Sequence, residues 1–295
     1  MGLSFSKLTP PSSYPKTLPK YLETKLKEET TKNNVVIEHV ESESDMTAIV
    51  AVMARSFALT PELSFDWIIG SDFALASDSE GDEGEGELVD HSEKRVEFVE
   101  WAMRWTFHTC LEYGVILVAK NKATGNILGV ICTLLPENNF AADTTSLLRF
   151  HVWKIGMKMK SSPPDILGKD SLRRFEFMGK MQTFMHMHAA AACDKKPWYI
   201  FVVATSLEAQ GTGCGTMLLQ AIHHLADQDK VDTILETAGA ANIGFYCRPA
   251  LGYQLCGPEV SSTDRRINKN GSDDDPVFKA QSLVRHPVIA TEEEK

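Results

Sequence analysis

The order of hydrophobic and polar positions divides the first half of the chain into strands and helices. Residues 34–40 alternate as a half-buried strand does, and residues 42–57 place apolar side chains at helical spacing. A second helix is predicted over 92–113. Two β-branched runs, 115–120 and 127–135, flank a turn that contains glycine, which predicts an antiparallel hairpin.

The second half begins with a helical insertion over 137–196 that is rich in aromatic residues and methionine. Its spacing predicts two helices separated by Ser161-Ser162-Pro163-Pro164. The next run, Trp198–Thr205, is apolar throughout, as a strand buried on both faces is. The remaining predicted elements are a helix over 212–226, a buried strand over 233–237, a short helix over 242–248 and two strands near 253–256 and 277–285.

Three segments lack the pattern of a packed element. Residues 1–33 carry four prolines without apolar periodicity, residues 77–90 are acidic and glycine-spaced, and residues 289–295 end in charged residues. Such compositions bury too little apolar surface to become ordered. We therefore expect a flexible N-terminal tail, an acidic loop, a C-terminal tail, and one domain over 34–288.

The formal net charge of −10 is concentrated in one stretch, because eight of the 40 acidic residues lie between Asp78 and Glu93. The rest, 32 acids against 30 bases, argues neither for nor against nucleic acid, and no nucleic acid partner is expected. The six cysteines form no C-x-x-C pair and follow no secretory signal, which favours a reducing, cytoplasmic location. No apolar run approaches the roughly 18 residues that span a membrane.

A glycine turn carries the clearest chemical signal. Gln210-Gly211-Thr212-Gly213-Cys214-Gly215 lies between the buried strand and the amphipathic helix. Glycines let the backbone approach a phosphate closely, and the N–H groups and dipole of a helix N-terminus attract anions. The turn therefore predicts a pyrophosphate site.

Two other phosphate-binding turns fit the sequence less well. A Walker A loop ends in Gly-Lys-Ser/Thr, and this turn has no lysine. A dinucleotide-binding turn needs Gly-x-Gly-x-x-Gly directly after the strand, whereas five residues separate Thr205 from Gly211. Glu236 stands about where the ribose-binding acid of such a unit would lie, so a dinucleotide site stays open as an alternative.

The spacing Gln-x-x-Gly-x-Gly after Val203–Thr205 resembles motif A of the GCN5-related N-acetyltransferases (GNAT). The segments Leu235-Glu236-Thr237 and Asn242-Ile243-Gly244-Phe245-Tyr246 are similar to the closing half of that fold, most of all in its puromycin N-acetyltransferase-like branch. The resemblance implies an α/β GNAT acyl-CoA N-acyltransferase fold. Its mixed central sheet is flanked by helices and opens between the fourth and fifth strands to admit coenzyme A.

The same resemblance implies acetyl-CoA as co-substrate and assigns residues to it. The main chain of Val203, Ala204 and Thr205 would pair with the pantetheine arm, and Asn242 would hydrogen-bond the cofactor. The residues that would hold the pyrophosphate are Gln210, Gly211, Thr212, Gly213, Cys214, Gly215 and Thr216.

The implied reaction is direct attack of an amine on the thioester in a ternary complex, without a protein nucleophile. Tyr246 follows Asn242 by one helical turn, and a phenol is protonated at neutral pH, so Tyr246 suits a general acid for the thiolate. Glu236 is the candidate general base; the alternative is a carboxylate that fixes the neighbouring loop. The segment from Tyr246 to Gly252 is longer than in similar proteins, which bears on the aim of Tyr246.

Three further groups of residues are candidates for chemistry by position. Cys214 lies inside the turn, but no His or acid flanks it to lower its pKa, so we expect a packing role. His186 and His188 lie two residues apart, do not share a helix face, and predict no metal site. His223 and His224 are expected on the polar side of the helix 212–226.

The N-terminus matches the myristoylation pattern M-G-x-x-x-[ST] from Met1 to Ser6. Residues 1–27 hold five lysines against one acid, which supplies the electrostatic signal that a single acyl chain needs for anchoring. Acylation of Gly2 would give a peripheral membrane contact.

The sequence therefore predicts an N-acetyltransferase that moves acetyl from acetyl-CoA to the amine of a small molecule. Two alternatives stay open. One is a protein or peptide N-acetyltransferase. The other is a non-catalytic acyl-CoA-binding module tethered to membranes, in which the segment after Tyr246 no longer positions an acid.

Overall fold

The computed structural model describes residues 34–60, 63–70, 92–136, 164, 168–264 and 277–288. The strands are β1 (Val35–His39), β2 (Gly114–Asn121), β3 (Ile127–Leu134), β4 (Trp198–Thr205), β5 (Thr233–Ala238), β6 (Gln254–Ser261) and β7 (Lys279–Arg285). The α-helices are α1 (Met46–Ala58), α2 (Leu63–Ile69), α3 (Ser92–Tyr113), α4 (Lys169–Ala191), α5 (Cys214–Asp229) and α6 (Ala240–Tyr246).

The strands form one mixed sheet in the order β1-β2-β3-β4-β5-β7-β6. Strands β4 and β5 run parallel with α5 as their crossover, and the other neighbours are antiparallel. The predicted β2–β3 hairpin is confirmed. Its turn is held by Asn121, whose side-chain oxygen accepts from Ala123 N at 2.9 Å. The α/β fold with a mixed sheet flanked by helices is confirmed.

Strands β4 and β5 separate soon after they meet. They pair only at Trp198 with Thr233 and at Tyr199 with Ile234. A bulge contributes to the separation, because Ile200 and Val202 face adjacent residues of β3 and leave Phe201 as an extra residue. Beyond this point β4 continues against β3 and β5 against β7, so a gap lined by main chain opens between them, as the sequence predicted.

Each sheet face has its own hydrophobic core. One face, the α4 face, is covered by α1, α2, α3 and α4; its largest fully buried side chains include Phe98, Phe107, Ile49 and Met53. The other, the α5 face, is covered by α5 and the segment that follows α6; it buries Trp198, Leu218, Ile222, Leu251 and Tyr253. The gap between β4 and β5 lies between the two cores.

The short helix α2 was not predicted, because seven residues carry little periodicity. It is attached through polar contacts to neighbouring helices. Buried Arg95 on α3 donates from Nε to the carbonyl of Ala58 at 2.9 Å and forms an ion pair with Asp66. Arg174 on α4 donates to the carbonyl of Trp67 at 2.8 Å. These contacts hold α2 against the α4 face.

Two predicted helix starts were displaced. Helix α5 begins at Cys214 rather than Thr212, because Gly213 has a φ of 88°, which an α-helix does not allow. Helix α6 begins at Ala240, after Gly239 at a φ of 80°, and ends at Tyr246. Of the two helices predicted within 137–196, the second is α4.

Several predictions lie outside the described residues. They are the first helix of the 137–196 insertion, the acidic loop 77–90, the N-terminal tail 1–33 with Gly2, and the C-terminal tail 289–295. Among the helices that the structure describes, none combines the length and apolarity needed to cross a bilayer.

The edge strand β6 is interrupted by a bulge. Cys256 faces Ser282 and Val260 faces Ala280, so Gly257-Pro258-Glu259 stand opposite Gln281 alone. The Gln281 side chain donates to the carbonyls of Cys256 at 3.3 Å and Gly257 at 3.0 Å. The bulge is thereby held to its neighbour β7.

The close approach of α5 to β3 yields a prediction on stability. A Cβ on Gly129 would stand 2.8 Å from Cys214 Sγ and 3.1 Å from the carbonyl oxygen of Ala204, so Gly129→Ala should lower the free energy of unfolding by about 1–3 kcal/mol. The matched control is Gly179→Ala on the exposed side of α4, where nothing among the described residues lies within 4 Å. There, alanine should raise it by about 0.5–1 kcal/mol. Urea denaturation measures both; equal stability of the two variants would contradict the packing.

Candidate active site

The glycine turn is held from within. Thr212 Oγ1 donates to the carbonyl of Ala209 at 2.7 Å, and Thr212 N donates to the same oxygen at 3.3 Å. Gly211 and Gly213 have φ angles of 77° and 88°, which favour glycine. No described atom lies within 4 Å of where a Cβ would stand on either glycine. The turn is therefore fixed in shape and open on its outer side.

The turn leads directly into the N-terminus of α5. Met217 N donates to the Gly213 carbonyl at 3.0 Å, so the N–H groups of Cys214, Gly215 and Thr216 come before the helix's own hydrogen-bond ladder. The first turn of α5 contains no acidic residue. These N–H groups and the helix dipole create positive potential suited to a phosphate.

The ends of three elements converge beside Gly215. A Cβ on this residue would lie 3.6 Å from Thr205 Cγ2 and 3.9 Å from both Val203 Cγ1 and the ring of Phe245. The end of β4, the start of α5 and helix α6 therefore meet at the mouth of the gap. Ala204, between Val203 and Thr205, turns its methyl group into the α4-face core.

The Gln210 side chain connects the turn to the opposite face of the sheet. Its Nε2 donates to Thr60 Oγ1, just beyond the end of α1, at 3.2 Å. Since α1 covers the α4 face, Gln210 ties the turn to the helices of that face. This contact between residues 150 positions apart could not be read from the turn's sequence.

Asn242 and Tyr246 both lie on α6, as predicted. The Asn242 amide donates to the carbonyl of Ala238 at 3.1 Å, which closes the corner between β5 and α6. Tyr246 is half-buried on the α5 face, with ring centroids 5.1 Å from Phe245 and 5.8 Å from Tyr253. Packing on two aromatic rings fixes the Tyr246 side chain in spite of the long segment that follows it.

A buried polar network supports Tyr253. Thr233 Oγ1 donates to the Tyr253 hydroxyl at 3.1 Å, and His223 Nε2 lies 3.0 Å from the same oxygen. Burial, assisted by the charge of Arg285, lowers the pKa of His223 to about 3, so the ring is neutral and shares a hydrogen bond with the Tyr253 hydroxyl. The prediction that His223 lies on the polar side of its helix was wrong, because the residue is only 4% exposed; its partner Tyr253 lies 30 residues away in the sequence.

Glu236 points to the α4 face, two residues beyond the last β4–β5 pair. Its side chain is 4% exposed, and Oε1 lies 3.6 Å from Nδ1 of His186 on α4. The phenol of Tyr199 is beside it: burial, and then the charge of Glu236, hold the pKa of Tyr199 well above its usual value. Glu236 therefore faces a helix rather than the neighbouring loop. It also lies on the opposite sheet face from Tyr246, with the gap between them.

Cys214 directs its thiol into the protein. It is 2% exposed, and burial raises its pKa to about 11. The thiol is therefore protonated at neutral pH, and its burial agrees with the packing role expected for it. Only its main-chain N–H faces the anion site.

Known proteins resemble this chain in fold but not in sequence. No family model matches the sequence, and no curated protein resembles it significantly. Solved structures align with most of the chain, among them the following two. Arylalkylamine N-acetyltransferase 2 from Aedes aegypti is 16% identical with a TM-score of 0.52, covering 86% of this chain and 99% of its own. The C-terminal condensation domain of Ebony, in complex with β-alanyl-dopamine, is 11% identical with a TM-score of 0.51, covering 85% and 98%.

At these identities the likeness shows the fold. Together with the seven-stranded mixed sheet and the gap between β4 and β5, it shows that the chain has the fold of the GNAT acetyltransferases. The fold predicted from the glycine turn is confirmed.

The burial of Cys214 yields a prediction on thiol reactivity. With a pKa of about 11, roughly one Cys214 in 3,000 is a thiolate at pH 7.5. Iodoacetamide should therefore label exposed Cys247 and spare Cys214, whose labelling should rise with pH towards 11. Peptide mass mapping measures both, and labelling in urea is the control. Preferential labelling of Cys214 in the folded protein would contradict the described burial.

Proposed function

We propose that this protein is an acetyl-CoA-dependent N-acetyltransferase whose acceptor is the amine of a small molecule. The observation that carries the proposal is the gap between β4 and β5, which runs to an anion-binding helix N-terminus. Main-chain groups without a strand partner line the gap, and they suit an extended amide-bearing molecule that ends in a phosphate.

Acetyl-CoA fits these features part by part. Its pantetheine arm carries amide groups that would pair with the main chain of Val203, Ala204 and Thr205 along the open edge of β4. Its pyrophosphate would lie against the main chain of residues 210–216, where Gly211 and Gly213 leave room for it. Acetyl-CoA supplies an acyl group activated as a thioester.

The two candidate acid-base residues flank the gap. Glu236, on the α4 face, would take the proton of the attacking amine, and Tyr246, on the α5 face, would give its proton to the departing thiolate. The new C–N bond forms as the C–S bond breaks. Their separation by the sheet lets Glu236 act on the amine nitrogen and Tyr246 on the thioester sulfur, the two atoms that exchange at the acyl carbon.

The neighbours of similar fold favour a small amine acceptor. One is named an arylalkylamine N-acetyltransferase, and the other was solved with β-alanyl-dopamine. Protein or peptide acetylation, non-catalytic acyl-CoA binding and the puromycin-like branch remain alternatives. A cytoplasmic location and a membrane contact through myristoylated Gly2 remain predictions from the sequence.

The test is acetyl-CoA consumption across arylalkylamines, polyamines, puromycin-like nucleosides, aminoglycosides, amino acids and peptides. Wild-type protein should turn over at least one small amine. Gly213→Glu should abolish turnover and, by calorimetry, acetyl-CoA binding, because a negative side chain would occupy the phosphate space. The matched control is Gly125→Glu in the β2–β3 turn, where φ is also positive, at 75°.

The outcomes separate the alternatives. Turnover of peptides alone would favour a protein acetyltransferase, and acetyl-CoA binding without turnover would favour a binding module. Unchanged acetyl-CoA affinity in a folded Gly213→Glu variant would overturn the proposed cofactor site.

Tyr246→Phe tests the proposed general acid. The substitution keeps the ring that packs on Phe245 and Tyr253 and removes only the hydroxyl. We expect kcat to fall between about 10- and 10⁴-fold with acetyl-CoA affinity little changed, because the proton is needed only as the thiolate leaves. Steady-state kinetics and calorimetry measure the two quantities. Full activity would show that another group protonates the thiolate.

A further inference from the structure

The helix α4 places an imidazole next to the proposed general base. His186 is 2% exposed, and its Nδ1 lies 3.6 Å from Glu236 Oε1. The rest of its surroundings are fixed. Its ring packs edge-on against Tyr199 at 4.4 Å between centroids, and the carbonyl of the preceding Met185 accepts from Ser282 Oγ on β7 at 3.3 Å. The helix therefore holds this ring at a set distance from the carboxylate.

Three of the four side-chain polar atoms of this pair make no hydrogen bond among the described residues, and the Tyr199 hydroxyl donates to the Glu236 carboxylate. Within the described part of the chain, His186 Nδ1, His186 Nε2 and Glu236 Oε1 are buried without a hydrogen-bond partner. A pair that served to fasten α4 to β5 would close to hydrogen-bond distance, between about 2.7 and 3.2 Å. Buried polar atoms left in this state call for a functional explanation.

Within the described part of the chain, the titratable groups next to the pair are neutral. Tyr199 on β4 adjoins Glu236, and Cys110 on α3 adjoins Tyr199 in turn; burial raises the pKa of both. Both are therefore neutral at physiological pH. His186 is the basic side chain next to Glu236 among the described residues.

We propose that His186 is a positioning residue for proton transfer at Glu236. This inference rests on the proposed function. As the amine attacks the thioester, its proton passes to the Glu236 carboxylate and from there to a ring nitrogen of His186, which becomes imidazolium. The carboxylate is restored, and the cation is stabilised by the negative charge beside it. After product release, loss of that proton to solvent resets the pair.

The placement of the pair fits this role. Glu236 follows Ile234, the last residue of β5 that pairs with β4, by two positions and points to the α4 face. An acyl group held in the gap would thus lie beside the carboxylate, with His186 behind it. His186 acts through Glu236 and does not reach the substrate.

The experiment uses the full-length protein and an acceptor amine found in the turnover assay. His186→Gln keeps a polar side chain that cannot take up a proton. His188→Gln is the matched control, because His188 lies two residues further along α4, is exposed, and packs on Phe184. Acetyl-CoA affinity and thermal melting show whether each variant folds.

We expect His186→Gln to lower kcat about 100-fold, the lower end for a group that assists proton transfer. The KM of the amine and the affinity for acetyl-CoA should change little, and His188→Gln should behave as wild type. The loss should shrink as pH rises, because hydroxide and solvent base can then take the proton from Glu236 and restore the carboxylate without His186. A purely structural role would give a loss that is uniform with pH.

Chemical rescue gives a second readout. In His186→Ala, added imidazole should restore part of kcat, whereas 1,2,4-triazole, a much weaker base of similar size, should not. Equal rescue by both would show that filling the space suffices and would overturn the proposal. So would wild-type kcat in His186→Gln, or a loss independent of pH. If the wild type acetylates no amine, the proposed function fails first, before any variant is compared.

Discussion

The separation of β4 from β5 after two paired residues is the constraint on which the candidate site depends. Two parallel strands that stayed paired to their ends would satisfy each other's main-chain groups and leave no room for a ligand. The bulge at Phe201 turns β4 away, while β7 keeps β5 in place. The cost of unpaired strand edges is offset when an amide-bearing ligand supplies the missing partners.

The same separation explains why the site draws on both cores. Helix α5 approaches β3 closely at Gly129. Its N-terminus lies at the mouth of the gap. Helix α6 follows β5 directly, which brings Tyr246 to the same mouth. Glu236 and His186 belong to the other core. A single strand divergence therefore places the proposed anion site, a phenol and a buried carboxylate around one gap.

The sequence predicted those features that depend on local pattern. Strand β4 was predicted with its observed bounds, since an unbroken apolar run between polar segments has only one interpretation here. The glycine turn was predicted because glycine spacing before an amphipathic helix is itself the signal. Helix starts were displaced by about two residues, because the positive φ of Gly213 and Gly239 depends on the turn each residue makes.

The features that the sequence did not predict depend on contacts between distant residues. The His186–Glu236 pair joins residues 50 positions apart, and its distance follows from the register of β5 against β7 and the placement of α4. His223 seemed polar-facing because its partner, Tyr253, lies beyond α6. Helix α2 is stabilised by arginines of other helices more than by its own pattern. The pattern of charged and polar residues along the chain does not indicate which distant residues pair.

The bulge in β6 has a consequence for the molecule in a crowded solution. A seven-stranded open sheet presents two edges, and an unprotected edge is a template for pairing with another copy. At the β6 edge, Pro258 has no backbone N–H that could donate a hydrogen bond. Gly257 and Glu259 lie out of register with the hydrogen-bond ladder of β6 and β7. Gln281 ties the carbonyls of the bulge back to β7. The open sheet that makes room for a ligand is thus protected, at this end, against growing strand by strand into an aggregate.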